Sequence, residues 1–222
     1  MGGFVAILQR DLTLSIRAGG GAALSIAFFF LMILIFSLSF GPDPQSLSTI
    51  AAPAVWTAAI LSAFVSFDRI FQDDFEDGGL DVIAETTDFL EGAFIAKTAA
   101  HWLTTAAPII LLTPAASAML ALGDGRLAPL MASLLVGTPA LSLIGAFAAA
   151  LTVSLRRAGV LVTILSAPLF TPLIIFGVEA ANAERLSSPD FAPAMMFLGA
   201  YGLVCLIVAP FAGAAAIRAN LT

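Results

Sequence analysis

The chain has 222 residues, 60% of them hydrophobic and 11% charged, with a mean hydropathy of +1.04. Soluble globular domains do not have this composition, which places the protein in a lipid bilayer. A net charge of -6 with only nine basic residues excludes a basic nucleic-acid surface, and the single cysteine, Cys205, excludes an internal disulfide and the usual multi-cysteine metal site.

In chain order, the segment from Phe4 to Ile16 spaces Phe4, Ile7, Leu8, Leu12 and Ile16 near one helical face, with Gln9, Arg10, Asp11 and Thr13 elsewhere. That spacing predicts an amphipathic helix lying along the membrane surface. A bilayer-spanning helix needs about 20 mostly apolar residues. Six such runs follow, at 22–40, 51–67, 100–122, 128–155, 159–178 and 194–217. The first, which contains FFFLMILIFSLSF, is expected to be a retained anchor rather than a cleaved signal, because of its length and its lack of a small-residue cleavage pattern. A β-barrel would show alternating segments of about 10 residues, whereas these runs are continuous. The expectation is an all-α polytopic membrane protein with six transmembrane helices in one domain, 1–222.

With a cytoplasmic N-terminus, Arg10, Arg17, Arg69, Lys97, Arg156, Arg157 and Arg218 fall inside, and only Arg126 and Arg185 fall outside. The positive-inside rule then puts both termini in the cytoplasm of a multi-pass inner-membrane protein.

The outer connections GPDPQSLST, LGDGRL and ANAERLSSPDFAP are short and rich in turn residues. The inner segment 68–97 is different, because it holds nine of the chain's fifteen carboxylates. Phe67, Ile70, Phe71 and Phe75 recur near helical spacing, while Asp68, Arg69, Gln72, Asp73, Glu76 and Asp77 fill the remaining surface. Gly78 and Gly79 permit a turn, and a second helix is expected after Thr87 or Asp88, with Glu91 at its third position if Asp88 is the cap. This predicts a helix, turn, helix projection under the membrane. DDFEDGG lacks the spacing and terminal glutamate of a calcium-binding loop.

The spans carry small residues and prolines rather than ionisable ones. Gly137, Gly145 and the alanines after them should allow close helix approach, and Pro108, Pro114, Pro168 and Pro172 interrupt the backbone ladder of spans three and five. His101 and Trp102 stand near the cytoplasmic start of span three, where they are read as membrane-interface residues. No catalytic constellation is present, and there is no GxxxxGK[ST] phosphate loop.

Several segments together are specific: LQRDLTLSIR, GPDPQ, DRIFQDDFEDGGLDVI, AKTAAHW, LLVGTPALSLIGAFAAALTVSLRRAGVLVTILSAPLFTPLIIFG and PFAGAAAIR. Across nearly its whole length the chain resembles the haem exporter protein B family, the membrane component of the cytochrome c maturation system. LDVIAETTDFLEG departs from the family pattern by carrying Glu85, Asp88 and Glu91 where relatives are more apolar or proline-rich.

The resemblance implies an ABC-2-type permease, like a type V exporter, with a cytoplasmic coupling helix between spans two and three. By that resemblance two copies associate with two copies of the cytochrome c maturation ATPase as an A2B2 core. A haem-handling membrane protein, a further small membrane protein and the periplasmic haem chaperone complete the implied set of partners. The partner ATPase binds ATP and the complex handles haem, while this chain holds no cofactor or metal of its own and is no enzyme. The implied work is coupling of ATP hydrolysis to release of the haem-loaded chaperone, with direct haem export or a non-transducing scaffold as alternatives. The residues implied in coupling or in the ATPase interface are Asp68, Arg69, Phe71, Asp73, Asp74, Phe75, Glu76, Gly78 and Gly79. The tryptophan-rich haem motif belongs to the haem-handling partner, so Trp56 and Trp102 are read as packing or interface anchors.

Overall fold

Ten α-helices and one π-helical turn account for nearly all of the described residues of the computed structural model, which are 2–18, 20–87, 89–155 and 158–221. The helices are α1 (Gly2–Ala18), α2 (Gly20–Phe40), α3 (Pro44–Phe67), α4 (Arg69–Glu76), α5 (Gly79–Thr86), α6 (Leu90–His101), α7 (Ala107–Met119), α8 (Asp124–Thr152), α9 (Ala158–Asn182) and α10 (Phe191–Leu221). The π turn, Trp102–Ala106, joins α6 to α7 without a break. Six helical segments are long and apolar enough to cross a membrane, so the chain is an all-α, six-span protein.

The span limits differ from the sequence expectation mainly in spans two and three. Span two begins at Pro44, because Asp43 caps it: its carboxylate accepts from the Ser46 N–H at 2.9 Å and the Ser46 hydroxyl at 2.6 Å. Those bonds hold the Asp43 carboxyl below the usual carboxylate range. Span three begins at Leu90 and runs through α6, the π turn and α7. Pro108 has no N–H to donate and its ring crowds the carbonyl four residues back, and the helix widens just upstream of it. Pro168 and Pro172 leave α9 helical throughout, and the Tyr201 hydroxyl donates to the Leu169 carbonyl between them at 2.8 Å.

α3 and α8 form the centre of the bundle, while α2, α9 and α10 present broad Leu, Ile, Val and Phe surfaces outward. Aromatic rings from α3 and α6 are seated where neighbouring helices have glycine. Trp56 fills a slot whose walls are Gly137 on α8 and Gly177 on α9, Phe67 lies on Gly145, and Phe94 lies on Gly213 of α10. A Cβ at any of the four glycines would collide with the facing ring. The close approach predicted for span four is thus used to admit side chains rather than a bare backbone. The Trp56 indole N–H donates to Ser133 at 3.1 Å, so full burial leaves no orphaned donor.

Candidate functional site

The end of the bundle that carries α1, α4 and α5 holds most of the charge. α4 continues nearly directly from α3, then Gly78 reverses the chain in the left-handed region, φ +73°, and α5 begins at once. The second helix of the projection therefore starts at Gly79, ahead of the expected start after Thr87 or Asp88. Leu80 and Ile83 lie one turn apart and are buried, with Asp81 in the first helical turn, so this short stretch has its own reason to be helical. Of this pair, Gly78 alone needs glycine's backbone freedom; Gly79 is the first residue of α5. The expected Asp88 cap lies outside the described residues. α6 is entered from Phe89, which makes Glu91 its second residue, and Glu91 pairs with Arg218 of α10 at 3.4 Å.

Behind this projection is a cluster of four charges that come from three helices. The Lys97 ammonium on α6 is 4% exposed and is shared by Asp11 of α1, at 2.7 Å, and Asp74 of α4. Arg10 bonds the other oxygen of Asp74 and reaches Asp11 at 3.2 Å. Lys97 also sits 5.7 Å from the centre of the Phe71 ring, and Phe71 stacks on Phe94 at 5.8 Å. An ammonium so deeply buried is tolerable only because two carboxylates and a ring face surround it.

α1 accordingly packs on α6 by a face different from the one expected. Ile7, Leu8, Asp11, Leu12 and Ser15 turn inward, while Phe4 and Ile16 are exposed. Asp11 belongs to the packed face because its partner, Lys97, lies beneath it.

Between α1 and the body of the bundle lies a cavity of about 170 Å³, walled by residues of α1, α2, α3, α4, α6 and the π turn. Arg10, Asp11, Asp74 and Lys97 line it near α1, and Ser66 and His101 line its inner end. His101, expected at the membrane interface, faces into the bundle. It is buried, with Nε2 2.9 Å from the Ser66 hydroxyl and Nδ1 3.3 Å from the Ser142 hydroxyl, and its ring lies 5.1 Å from that of Phe67. Trp102 is half-buried and donates its indole N–H to Thr138 of α8 at 2.9 Å.

The residues singled out from the sequence therefore divide into two groups. Arg69, Asp73 and Glu76 are exposed, as are Asp77, Asp81, Val82, Glu85 and Phe89, and Arg69 and Asp73 also line the cavity under α1. Phe71 is fully buried, Phe75 packs partly buried against the core, Asp74 is drawn into the ion cluster, and Asp68 is half-buried at the α3–α4 junction. Sequence reasoning missed Asp11 and Lys97. Their type was a signal, since a lone lysine beside an apolar run must find a counter-charge, but its partners are 23 and 86 positions away. Among the described residues no group of three or more His, Cys, Asp or Glu side chains could hold a metal ion.

The family model described as CcmB protein matches residues 3–220. The chain is 47% identical to heme exporter protein B of Paracoccus denitrificans over 97% of this chain and 99% of that protein. It is 43% identical to the protein of the same name from Haemophilus influenzae, over 98% of each chain, and 36% identical to that of Escherichia coli K12, over 98% of this chain and 99% of the relative. The chain belongs to the CcmB protein family. The CcmB match runs from α1 to α10, so it takes in the ion cluster, the projection and all six spans alike. No Walker-type phosphate loop occurs in this CcmB family member, whose one lysine, Lys97, follows Ala96 rather than glycine.

Proposed function

We propose that this chain is the membrane component of an ATP-binding-cassette complex in cytochrome c maturation, and that it passes the movement of a separate ATPase to the haem-handling side of the complex. Membership of the CcmB family and the name its relatives carry, heme exporter protein B, support the haem-related role. In this reading the end bearing α1, α4 and α5 is cytoplasmic, both termini lie there, and the permease is of the ABC-2 type with α4 and α5 as its coupling region.

The observation that carries the mechanical part is the way α4 is fixed. Asp74 on its inner side is bonded to α1 and α6 together, and its outer side presents exposed carboxylates. A push on Arg69, Asp73 or Glu76 is therefore delivered at once to α3, which α4 continues, and to α6 through Lys97. Gly78 sets the corner and Gly79 lies against Asp74, so the turn and the ion cluster are one unit. Phe71 and Phe75 serve by packing this unit onto the bundle, and the polar contacts to the ATPase come from the carboxylates. The partners in this reading are the maturation ATPase, the haem-handling membrane protein, the further small membrane protein and the periplasmic haem chaperone.

The name of the relatives favours a second reading, in which haem itself crosses the membrane through the complex. Proteoliposomes containing the purified complex, with haem supplied on one known side, separate the two. ATP-dependent release of loaded chaperone from haem already on the outer side, without flux, is the expected result. Flux that requires this chain would establish export instead. Neither release nor flux, with the complex assembled, would leave the chain as a scaffold.

A further inference from the structure

The charged side chains that line the cavity under α1 are Arg10 and Asp11 from α1, Arg69, Asp73 and Asp74 from α4, and Lys97 from α6. Arg10, Asp11, Asp74 and Lys97 satisfy one another in the ion cluster, which leaves one cation and one anion over. Arg69 and Asp73 stand one turn apart on α4, and neither makes an ion pair with the other or with any other described residue. A basic residue placed ahead of an acidic one is the weaker order for a helical pair at this spacing. The neighbouring carboxylate, Asp68, is turned away, with Oδ2 against Gly159 of α9. The Arg69 chain runs instead towards the start of α2, where its Cδ lies 3.7 Å from the place a side chain at Gly21 would begin.

We propose that this cavity seats the headgroup of an ethanolamine phospholipid from the leaflet at the α1 end, with its phosphate on Arg69 and its ammonium on Asp73. A guanidinium holds a phosphate through paired N–H donors, and a carboxylate accepts from a primary ammonium. The two residues are about 6 Å apart along α4, on the scale of a phosphate and an ammonium joined by two carbons. Cations and carboxylates are equal in number on the walls, so an anionic headgroup gains less here than a zwitterion. Choline is disfavoured in turn: its quaternary ammonium has no N–H to donate to Asp73, and no Phe, Tyr or Trp lines the cavity to hold it by a ring face. The 170 Å³ takes roughly ten waters, and so has room for the headgroup. The acyl chains have a way out beside it. Leu14, at the rim, is half exposed, and Leu24, Leu31, Ile35 and Leu38 form an exposed apolar stripe along α2 that begins one turn beyond Gly21.

The test uses the full chain in detergent without the ATPase, so that it does not depend on the coupling role. Palmitoyl-oleoyl phosphatidylethanolamine, phosphatidylcholine and phosphatidylglycerol are added in equal amounts, and the lipid retained is measured by native mass spectrometry. The ethanolamine lipid is expected to be retained in preference to the other two. Arg69→Gln should lower its retention about tenfold, the size of one charge-assisted hydrogen bond. Asp73→Asn should erase the preference for ethanolamine over choline. Both side chains are exposed, so the fold should survive either change, and unchanged helicity checks that it does. Arg17→Gln removes a basic side chain that is exposed at the same end but outside the cavity, and should alter nothing. Equal retention of the three lipids by the native chain, a preference that persists in both α4 variants, or the same loss in Arg17→Gln would overturn the proposal. Free phosphoethanolamine in large excess should fail to displace the lipid; displacement by it would overturn a lipid as the occupant.

Discussion

Lys97 on α6 donates to Asp11 on α1 at 2.7 Å, joining two helices 86 residues apart in sequence at a point where only 4% of the lysine side chain meets solvent. Through Asp74 the same ammonium also holds α4, so the surface helix, the projection and the third span share one electrostatic fastening.

Removing Asp74 strips both Lys97 and Arg10 of a partner and leaves the ammonium short of counter-charge. Asp74→Asn is expected to cost on the order of 3 kcal/mol, as breaking a buried pair does. Asp11→Asn should cost less, since Asp74 remains. Hydrogen exchange of the α1 amides checks this: they should lose protection in Asp74→Asn while those of α8 keep theirs.

The glycine slots make a second expectation. Gly177→Ala and Gly137→Ala each push a methyl into the Trp56 indole, where no flexible chain end can give way, and overpacking of this kind costs about 1 to 3 kcal/mol. Gly199→Ala meets nothing nearer than 3.9 Å and should leave stability unchanged. Thermal unfolding in detergent distinguishes the three variants.

At Gly78 the φ of +73° makes any side chain strained, at a cost of about 1 to 2 kcal/mol. Gly78→Ala is expected to leave the complex assembled but to impair ATP-dependent release of the loaded chaperone in the reconstituted system. Loss of assembly with no separate loss of release would instead fit a scaffold.

Reversing charges on the outward face should act through a partner. Glu76→Lys with Asp81→Lys is expected to weaken ATPase binding and reduce its salt dependence, with stability of the isolated chain unchanged, because these side chains are exposed. Phe71→Ala should do the opposite, lowering stability because a fully buried, stacked ring is lost.

Asp43 provides a pH expectation on the far end. Its carboxyl is held below its ordinary range by the Ser46 side chain and N–H, so its contribution is complete above the unfolded-state value and disappears as pH falls through the lower folded one. Helicity at the start of α3 should therefore decline in acid for the native chain, and Asp43→Ala should show the deficit already at neutral pH. Amide exchange at Ser46 and Leu47 reads this directly.

The six spans were legible because lipid imposes long apolar runs, and the reversal at Gly78 was legible because few residues other than glycine tolerate that backbone. α5 escaped notice since its buried apolar pattern is only Leu80 and Ile83, too short to stand out from a loop. The burial of His101 was hidden because its partners, Ser66 and Ser142, are ordinary span residues that acquire meaning only when three helices meet. The π turn had a cue in Pro108, but a proline alone does not say whether a helix will bend, stop or widen.

The seating of aromatic rings on glycine bears on how the bundle can deform. α3 is pinned to α8 at two levels, by Trp56 and by Phe67, about 16 Å apart along the helix. Two pins fix a line, so α3 and α8 behave as a splinted pair that neither slides nor swivels. α6 meets α10 through one such ring, Phe94 on Gly213, and through the Glu91–Arg218 pair beside it. Both ties lie within two turns of Lys97, so a load applied at the ion cluster meets a two-ring splint on α3 and, on α6, one ring and one ion pair.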